Sequence, residues 1–300
     1  VFTAAALISR DFLKLQNMTN VLRQITVISV LGCGCCFVLI SGNINIAYDG
    51  LIACLGCTAC LVMAATQSIF LAVTVAVAAG AIIGYLYGCF VTVFQIPGFI
   101  VGLAVSSIAS GAILLITGGD AVPKASLGNF SVLGQGYIGP VPICVIILLI
   151  ALVICHIILK QTCFGRKVNA VGGNRTAALT SGINVNRVIR QVFVLDGVLC
   201  AIGAVLYMSR INSGQPSGGT GYCFDAITAV CVGGVSIQGG SGGVVGTLIG
   251  GAIVGILNNL LNLMNISSDI QDIVSGIVII LAVTADIAVK NSVMKTMKKS

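Results

Sequence analysis

Reactive side chains are few in this chain and most of them stand alone. Its eight acidic residues are all Asp, and its one histidine, His156, lies near the end of an apolar run without a companion ligand. Cysteine is the abundant reactive type, thirteen in all, with Cys54, Cys57 and Cys60 at C-x2-C-x2-C spacing and Cys33, Cys35 and Cys36 close together. An iron–sulfur run of the ferredoxin kind needs a fourth Cys followed by Pro, which is missing, and free Cys in an apolar stretch behaves as a small hydrophobe. Both cysteine groups therefore read as packing residues, and His156 as a packed or interfacial histidine. No nucleophile, metal cluster or paired carboxylate is recognisable, so an enzyme is the least favoured class and no cofactor is expected. What remains is a set of amides and carboxylates interrupting or embedded in apolar runs: Asn43, Asn45 and Asp49 in ISGNINIAYDG (40–50), then Asp196, Asp225, Asn258, Asn259 and Asn262.

The surrounding elements decide what such groups can do. The chain is 57% hydrophobic and 8% charged, with a mean hydropathy of +1.11, whereas roughly a quarter of residues are charged in soluble domains. It is an integral membrane protein. A span takes about 20 apolar residues, which leaves room for about eight to ten. Only helices and closed barrels satisfy the backbone in lipid, and the runs lack the alternation of barrel strands. The expected fold is all-α: one polytopic bundle over residues 1–300, with some helices discontinuous. Apolar runs place the spans near 21–42, 50–66, 68–93, 98–118, 140–159, 189–211, 225–238, 242–264 and 270–289. The 225–238 run is short and carries glycine, as expected for a half-helix or broken helix lining a cavity.

Basic residues collect in cytoplasmic connections. Lys160, Arg166, Lys167, Arg175, Arg187 and Arg190 lie in 160–190, and Lys290, Lys295, Lys298 and Lys299 in the C-terminal tail, so both segments are placed in the cytoplasm. The four spans between them agree with that placement. The connections 119–139 and 212–224 then face outward, with Lys124 inside them and Arg210 at an edge. The same placement explains the net charge of +7, so nucleic acid is not expected as a partner. Counting back puts Arg10, Lys14 and Arg23 outside, which suggests a missing span. VFTAAALIS (1–9) would reach only about 13 Å as helix and reads as the tail of a first helix truncated at its start.

Small residues recur every four positions at Gly80, Gly84 and Gly88, at Gly98, Gly102, Ser106 and Ser110, and at Gly242, Gly246 and Gly250. Such stripes let helices approach closely in lipid, and imply a compact bundle and a homodimer. GGVSIQGGSGG (233–243) contains no G-x-G-x-x-G and follows no soluble strand, so it is not a dinucleotide site. The connection TCFGRKVNAVGGNRTAALTSGINVNRV (162–188) is too long and patterned for a simple link. Gly165, Gly172, Gly173 and Gly182 punctuate it, and Asn174 is placed to cap a short helix through Ala177, Ala178 and Leu179. A short helix displayed between two spans is a docking element for a cytoplasmic partner.

GRKVNAVGGNRTAALTSGINV resembles the cytoplasmic coupling segment of the permease subunits of ribose-type ABC sugar importers, a family that includes xylose, galactoside and autoinducer-2 permeases. GQPSGGTGYCFDAITAVCVGGVSIQGGSGGVVGTLIGGAIVGILNNLLNLMNISS (214–268) is similar to the C-terminal signature of that family, and the likeness runs from about Asn17 over almost the whole chain. The resemblance implies a multi-pass permease of the bacterial inner membrane, usually a homodimer. It would take a sugar from an extracytoplasmic binding protein and be driven by a cytoplasmic ATPase subunit that binds the ATP. The chain has no G-x-x-x-x-G-K-[ST] loop and no glutamate to activate water, so it should not hydrolyse ATP itself. Gly165, Arg166, Gly172, Gly173, Asn174, Ala177, Ala178, Gly182 and Ile183 match the coupling segment, whose implied role within 160–188 is mechanical.

For a transport path the buried polar groups are the candidates: Asn43, Asn45, Asp49, Asp225, Asn258, Asn259 and Asn262. Neutral amides with few carboxylates suit a sugar, whose hydroxyls need donors and acceptors but no net charge. The three late Asn fit helix-to-helix hydrogen bonding equally well. Asp225 reads as a helix N-terminal residue stabilised by the dipole. Asp196 departs from the small polar residue usual in the family and calls for Arg190, Arg210 or a water cavity as partner, while Asp286 is expected beside the Lys tail. ISGNINIAYDG stands where the family usually has SGGIDLSVG or SGEIDVSVG, a break between two helices near the path. Asn45 replaces the expected Asp, Ala47 a Ser and Asp49 a Gly. The local hydrogen bonding must then differ, and the carboxylate at 49 is expected to reach the space vacated at 45 by one helix turn, retuning the path. Related readings keep the machine but change the cargo to nucleosides or branched-chain amino acids. A secondary transporter or channel is a different class, against which the scarcity of paired charges in the spans argues.

Overall fold

The computed structural model describes residue 12 and residues 14–267, 270–271, 273–281 and 284. Residues 1–9, Arg10, Asp286 and the terminal lysines lie outside them. In chain order the elements are α1 Leu15–Ile40, α2 Tyr48–Thr66, α3 Ile69–Val93, α4 Gly98–Thr117, α5 Val132–Gln135, β1 Tyr137–Ile138, β2 Val141–Pro142, α6 Ile143–Gln161, α7 Cys163–Gly173, α8 Arg175–Thr180, α9 Val185–Ile211, α10 Tyr222–Val232 and α11 Val244–Leu263. Among the described residues α1, α2, α3, α4, α6, α9 and α11 are long and apolar enough to cross a membrane.

Local chemistry sets the boundaries. Gln67 takes a left-handed φ of 53° to close α2, and the Ser68 hydroxyl accepts from the Leu71 N–H to open α3, so the two helices turn back on each other at once. Pro97 precedes α4 and Gly118, at φ 67°, ends it. The expected spans agree with the helices to within a few residues, with three differences. Helix α1 starts at Leu15 rather than near 21, and α9 starts at Val185, inside the predicted connection. The 225–238 run is a helix of only eleven residues, α10, which covers about 16 Å and leaves the rest of that passage to the non-helical segment 233–243. Of the last predicted span, 270–289, residues 270–271, 273–281 and 284 are helical and the remainder lies outside the described residues.

Arg23, anomalous by charge counting, is held by the connection between α4 and α6. Its guanidinium donates to the Gln135 carbonyl at 2.8 Å and to the Tyr137 hydroxyl at 3.1 Å, and lies 5.3 Å from the Tyr137 ring centroid. The two connections read as outward-facing also meet each other. Val122 and Gly214 exchange backbone hydrogen bonds of 2.8 and 3.0 Å, and the Ser209 hydroxyl joins the Phe130 carbonyl to the Gly134 N–H.

Packing of the bundle rests on backbone contact. Helices α3 and α9 run antiparallel: a methyl on Gly80 would strike the Gly197 carbonyl oxygen, one on Gly197 the Gly80 carbonyl, and one on Gly84 the Phe193 carbonyl. A Cβ at Gly88 would sit 2.8 Å from the Arg190 Cα. The α4 stripe faces the α1–α2 break and its surroundings, with Gly98 against Ile44 and Gly102 against Tyr87 and Ile46, while the Ser106 hydroxyl accepts from the Gly50 N–H at 3.2 Å. Gly246 and Gly250 meet Gly233 and Ala229. These small residues make their close contacts inside one chain, so they supply no argument for a homodimer.

A pair of substitutions measures that dependence. Gly197→Val should destabilise the bundle by about 1–3 kcal/mol through overpacking. Gly111→Ala, where an added methyl meets nothing within 4 Å, should be neutral or stabilising by up to about 1 kcal/mol. Thermal unfolding in detergent compares the two, and equal effects would contradict backbone contact between α3 and α9.

Candidate functional site

Two non-helical segments interrupt the bundle: 41–47, between α1 and α2, and 233–243, between α10 and α11. An interrupted helix leaves backbone groups without partners, and the polar residues found in the sequence answer that need. The Ser41 hydroxyl donates to the Val38 carbonyl at 2.7 Å, and Gly42 turns the chain at φ 77°. The Asn43 N–H then reaches the Val38 carbonyl at 3.1 Å, and its side-chain amide returns to Ser41. Asn43 therefore completes the turn.

Asn45 faces inward. Its Oδ1 accepts from the Ala47 N–H at 2.8 Å, which aims Nδ2 at Asp196 on α9, where it donates to Oδ2 at 2.6 Å. The Tyr48 hydroxyl donates to Asp196 Oδ1, also at 2.6 Å. Asp196 and Asn45 are each 2% exposed and Tyr48 is 0% exposed, so the cluster is sealed from solvent within the chain. Gly34 clears α1 for it, since a Cβ there would collide with Asp196 Oδ1. The expected arginine partners are corrected: Arg190 turns its Nε to the Asn186 carbonyl, and Arg210 lies at the opposite end of α9. Two of the positions that depart from the family pattern, 45 and 196, are bonded to each other.

Asp49 does not enter the space around Asn45, contrary to the one-turn argument. It points to α10, where Oδ1 accepts from the Cys223 N–H at 2.8 Å and Oδ2 from the Gly221 N–H at 3.3 Å. A carboxylate there satisfies N–H groups that the helix start leaves open and lies at the positive end of its dipole. Asp225 stands in the first turn of α10, as expected, and accepts from Asn258 Nδ2 at 2.8 Å and from the Ser275 hydroxyl at 3.5 Å. Among the described residues, Asn258 Oδ1 is buried with no hydrogen-bond partner. Asn259 and Asn17 exchange two amide hydrogen bonds of 3.0 Å, joining α11 to α1, and Asn262 accepts from Gln271 at 2.9 Å. The late Asn thus divide: Asn259 and Asn262 are occupied between segments, and Asn258 keeps one oxygen open.

Segment 160–188 is largely helical. Three of its four glycines, Gly165, Gly172 and Gly173, lie inside α7 rather than punctuating a loop, and only Gly182 has a left-handed φ, 79°. Asn174 caps α8 as the sequence indicates, its Oδ1 accepting from the Ala177 N–H at 2.9 Å. Gly182 and Ile183 close α8 through N–H donation to the Leu179 and Ala178 carbonyls, both at 3.0 Å. Ala178 and Gly165 are buried and Ile183 half-buried, whereas Arg166, Ala177 and Leu179 project outward. The glycines of α7 permit close approach. A methyl on Gly165 would strike the Leu159 carbonyl oxygen, and one on Gly172 the Ile40 carbonyl oxygen at the end of α1. Ile40 also accepts from the Gly240 N–H at 2.8 Å, and a Cβ on Gly240 would lie 2.6 Å from the Gly173 Cα. Both interrupted segments therefore meet the exposed α7–α8 element, backbone to backbone. Two clefts nearby, of about 490 and 440 Å³, are lined by residues such as Phe164 and Lys167 or Tyr85 and Arg187, and by none of the candidate path residues.

Sequence reasoning noticed Asp196 but missed its partners and the Ile40–Gly240 joint. The donors stand 151 and 148 residues away from Asp196, beyond any local pattern. The available signal was the carboxylate itself, which in an apolar run demands donors.

Comparison with known proteins follows the same lines. The family described as branched-chain amino acid transport system / permease component matches residues 17–283. The ribose import permease protein of Haemophilus influenzae is 37% identical over 284 residues, covering 94% of this chain and 88% of that protein. Its counterpart in Escherichia coli K12 is 36% identical over 282 residues, with 93% and 88% covered. The L-arabinose transport system permease protein of the same strain is 33% identical over 287 residues, with 95% and 87% covered. No solved structure matches the chain. With most of its length matched and its helices suited to crossing a membrane, the chain belongs to the branched-chain amino acid transport system permease-component family, as a multi-pass membrane protein.

Proposed function

We propose that the chain is the permease subunit of an ATP-driven ABC importer for a monosaccharide of the ribose and arabinose class. The relatives named as ribose and L-arabinose permeases support this reading over the amino-acid cargo in the family description, and so do the neutral amides among the candidate path residues. ATP is hydrolysed by a separate cytoplasmic subunit docked on α7–α8, a sugar-binding protein delivers cargo at the opposite end, and two copies of the chain form the working permease.

One observation carries the mechanism: Gly172, on the exposed coupling element, lies against the Ile40 carbonyl where α1 gives way to the break, beside the Gly240 contact. Closure of the ATPase pushes α8 through its projecting Leu179, which is 56% exposed, and through Ala177. The push passes along α7 into both interrupted segments. Movement of 41–49 and of α10 then opens the path at one end while closing it at the other, with Asn258 Oδ1 and Asp225 presenting acceptors to sugar hydroxyls.

Two experiments test this. In vesicles containing the chain, its ATPase and its binding protein, ribose or arabinose uptake should require ATP, and ATP-dependent leucine uptake without sugar uptake would overturn the cargo. In the same system Gly172→Val should leave the ATPase subunit bound on co-purification yet reduce sugar uptake to background. Full uptake by that variant would remove Gly172 from the coupling route.

A further inference from the structure

Asp196 has no assigned role, and its surroundings are unusual for a carboxylate. It is buried in the middle of a long apolar helix, and no arginine or lysine pairs with it among the described residues. Its two oxygens receive one donor each, Asn45 Nδ2 and the Tyr48 hydroxyl, both at 2.6 Å. Removing a carboxylate from water without a cation is costly, so a residue that contributed only packing would be better served by an apolar side chain. The arrangement is also built from three sides. Gly34 opens α1 to admit the carboxylate. The Ala47 N–H fixes the Asn45 amide so that its nitrogen, and not its oxygen, faces Asp196. The phenol of Tyr48 approaches from the first residue of α2.

Both donors belong to the same short stretch of chain. Asn45 is the last well-buried polar residue of the break and Tyr48 begins the helix that follows. Three residues before Asn45 this stretch meets the coupling element at Gly42 and Gly172, and one residue after Tyr48 Asp49 holds the start of α10. Asp196 thus grips the middle of a lever whose one end touches α7 and whose other end touches α10. We infer that Asp196 is the positioning residue of this lever: it clasps segment 45–48 to α9 in the conformation seen here, and transport requires that the clasp be released and remade. This rests on the transport reading above. The clasp acts through Asn45 and Tyr48, and it transmits or arrests motion without touching the cargo.

Exchange of the two groups gives a decisive test, because the geometry allows it. In the Asn45→Asp/Asp196→Asn double variant, the new amide at 196 donates to the new carboxylate at 45. The second oxygen of that carboxylate still accepts from the Ala47 N–H, and the amide oxygen at 196 still accepts from the Tyr48 hydroxyl. All three hydrogen bonds of the cluster survive, with donor and acceptor reversed only in the one between 45 and 196. Asn45→Asp alone sets two carboxylates face to face and should reduce sugar uptake by about tenfold or more. Asp196→Asn alone should lower uptake while ATP hydrolysis stimulated by the binding protein continues, so that sugar carried per ATP falls. The double variant should return to within about twofold of the starting protein, since coupled sites are recognised by such non-additivity.

Hydrogen–deuterium exchange of residues 43–49 supplies the local readout. It should rise in Asp196→Asn and in Tyr48→Phe, which deletes one donor without altering charge, and fall back in the exchanged pair. A double variant no better than the worse single one, or unchanged exchange at 43–49 in Tyr48→Phe and Asp196→Asn, overturns the clasp. If the unaltered protein carries no sugar at all, the transport reading fails on its own, and the exchange measurements still decide whether Asp196 holds the segment.

Discussion

A helix interrupted inside lipid must find partners for every backbone group that its break exposes, because no water is there to supply them. Much of the polar chemistry in this chain answers that constraint. Asp49 receives the N–H groups of Gly221 and Cys223 at the start of α10. Ser41, Asn43 and Asn45 satisfy the break after α1, and the last carbonyl of α1 is taken by Gly240. Asn43, Asn45 and Asp49, candidates for the transport path by their type, are also fastenings that make discontinuous helices tolerable. Non-helical backbone is kept at membrane depth only where protein or a cavity encloses it.

Glycine supplies the complementary device, direct contact between backbones. Between α7, the end of α1 and the segment 233–243 the contact is made by Gly172, Gly173, Gly239, Gly240 and Gly42, with little side chain between the backbones. A long side chain can change rotamer and absorb a displacement, whereas two backbones in contact cannot. The same close approach recurs between α3 and α9 at Gly80, Gly84 and Gly197, so α9 is tied rigidly to α3 on one face while Asp196 reaches the movable segment on another. The glycine contact and the Asp196 cluster share one helix.

The spans, the cap at Asn174, the short α10 and the helical position of Asp225 were legible because each follows from local composition, periodicity or capping chemistry. What was not legible depended on which segments meet. Glycines 165, 172 and 173 read as loop punctuation, since glycine is a poor helix former, yet tertiary contact keeps them inside α7. The start of α1 was misplaced because Gln16, Asn17, Thr19 and Asn20 interrupt the apolar pattern ahead of residue 21, and Asn17 finds its partner only in Asn259, 242 residues on. Asp49 was sent one turn the wrong way, because a helix-turn argument presumes that 45 and 49 share a helix. Residue 45 precedes α2, so the 3.6-residue period does not connect them.

The departures at 45 and 196 gain meaning together. Taken singly, an amide where the family resemblance leads one to expect a carboxylate suggests a weakened site, and a carboxylate in an apolar span suggests a defect. Joined at 2.6 Å, they form one complementary pair in which the acid stands on α9 and the amide on the break. Complementarity depends on the pair and is indifferent to which partner carries the acid, provided the neighbouring donors fit. Here the Ala47 N–H and the Tyr48 hydroxyl fit either arrangement. A return to Asp at position 45 alone would therefore not recover the family arrangement. It would oppose two carboxylates in a sealed space, where neither is hydrated and each disfavours ionisation of the other. The pair is one site, with one half on the break and the other on α9.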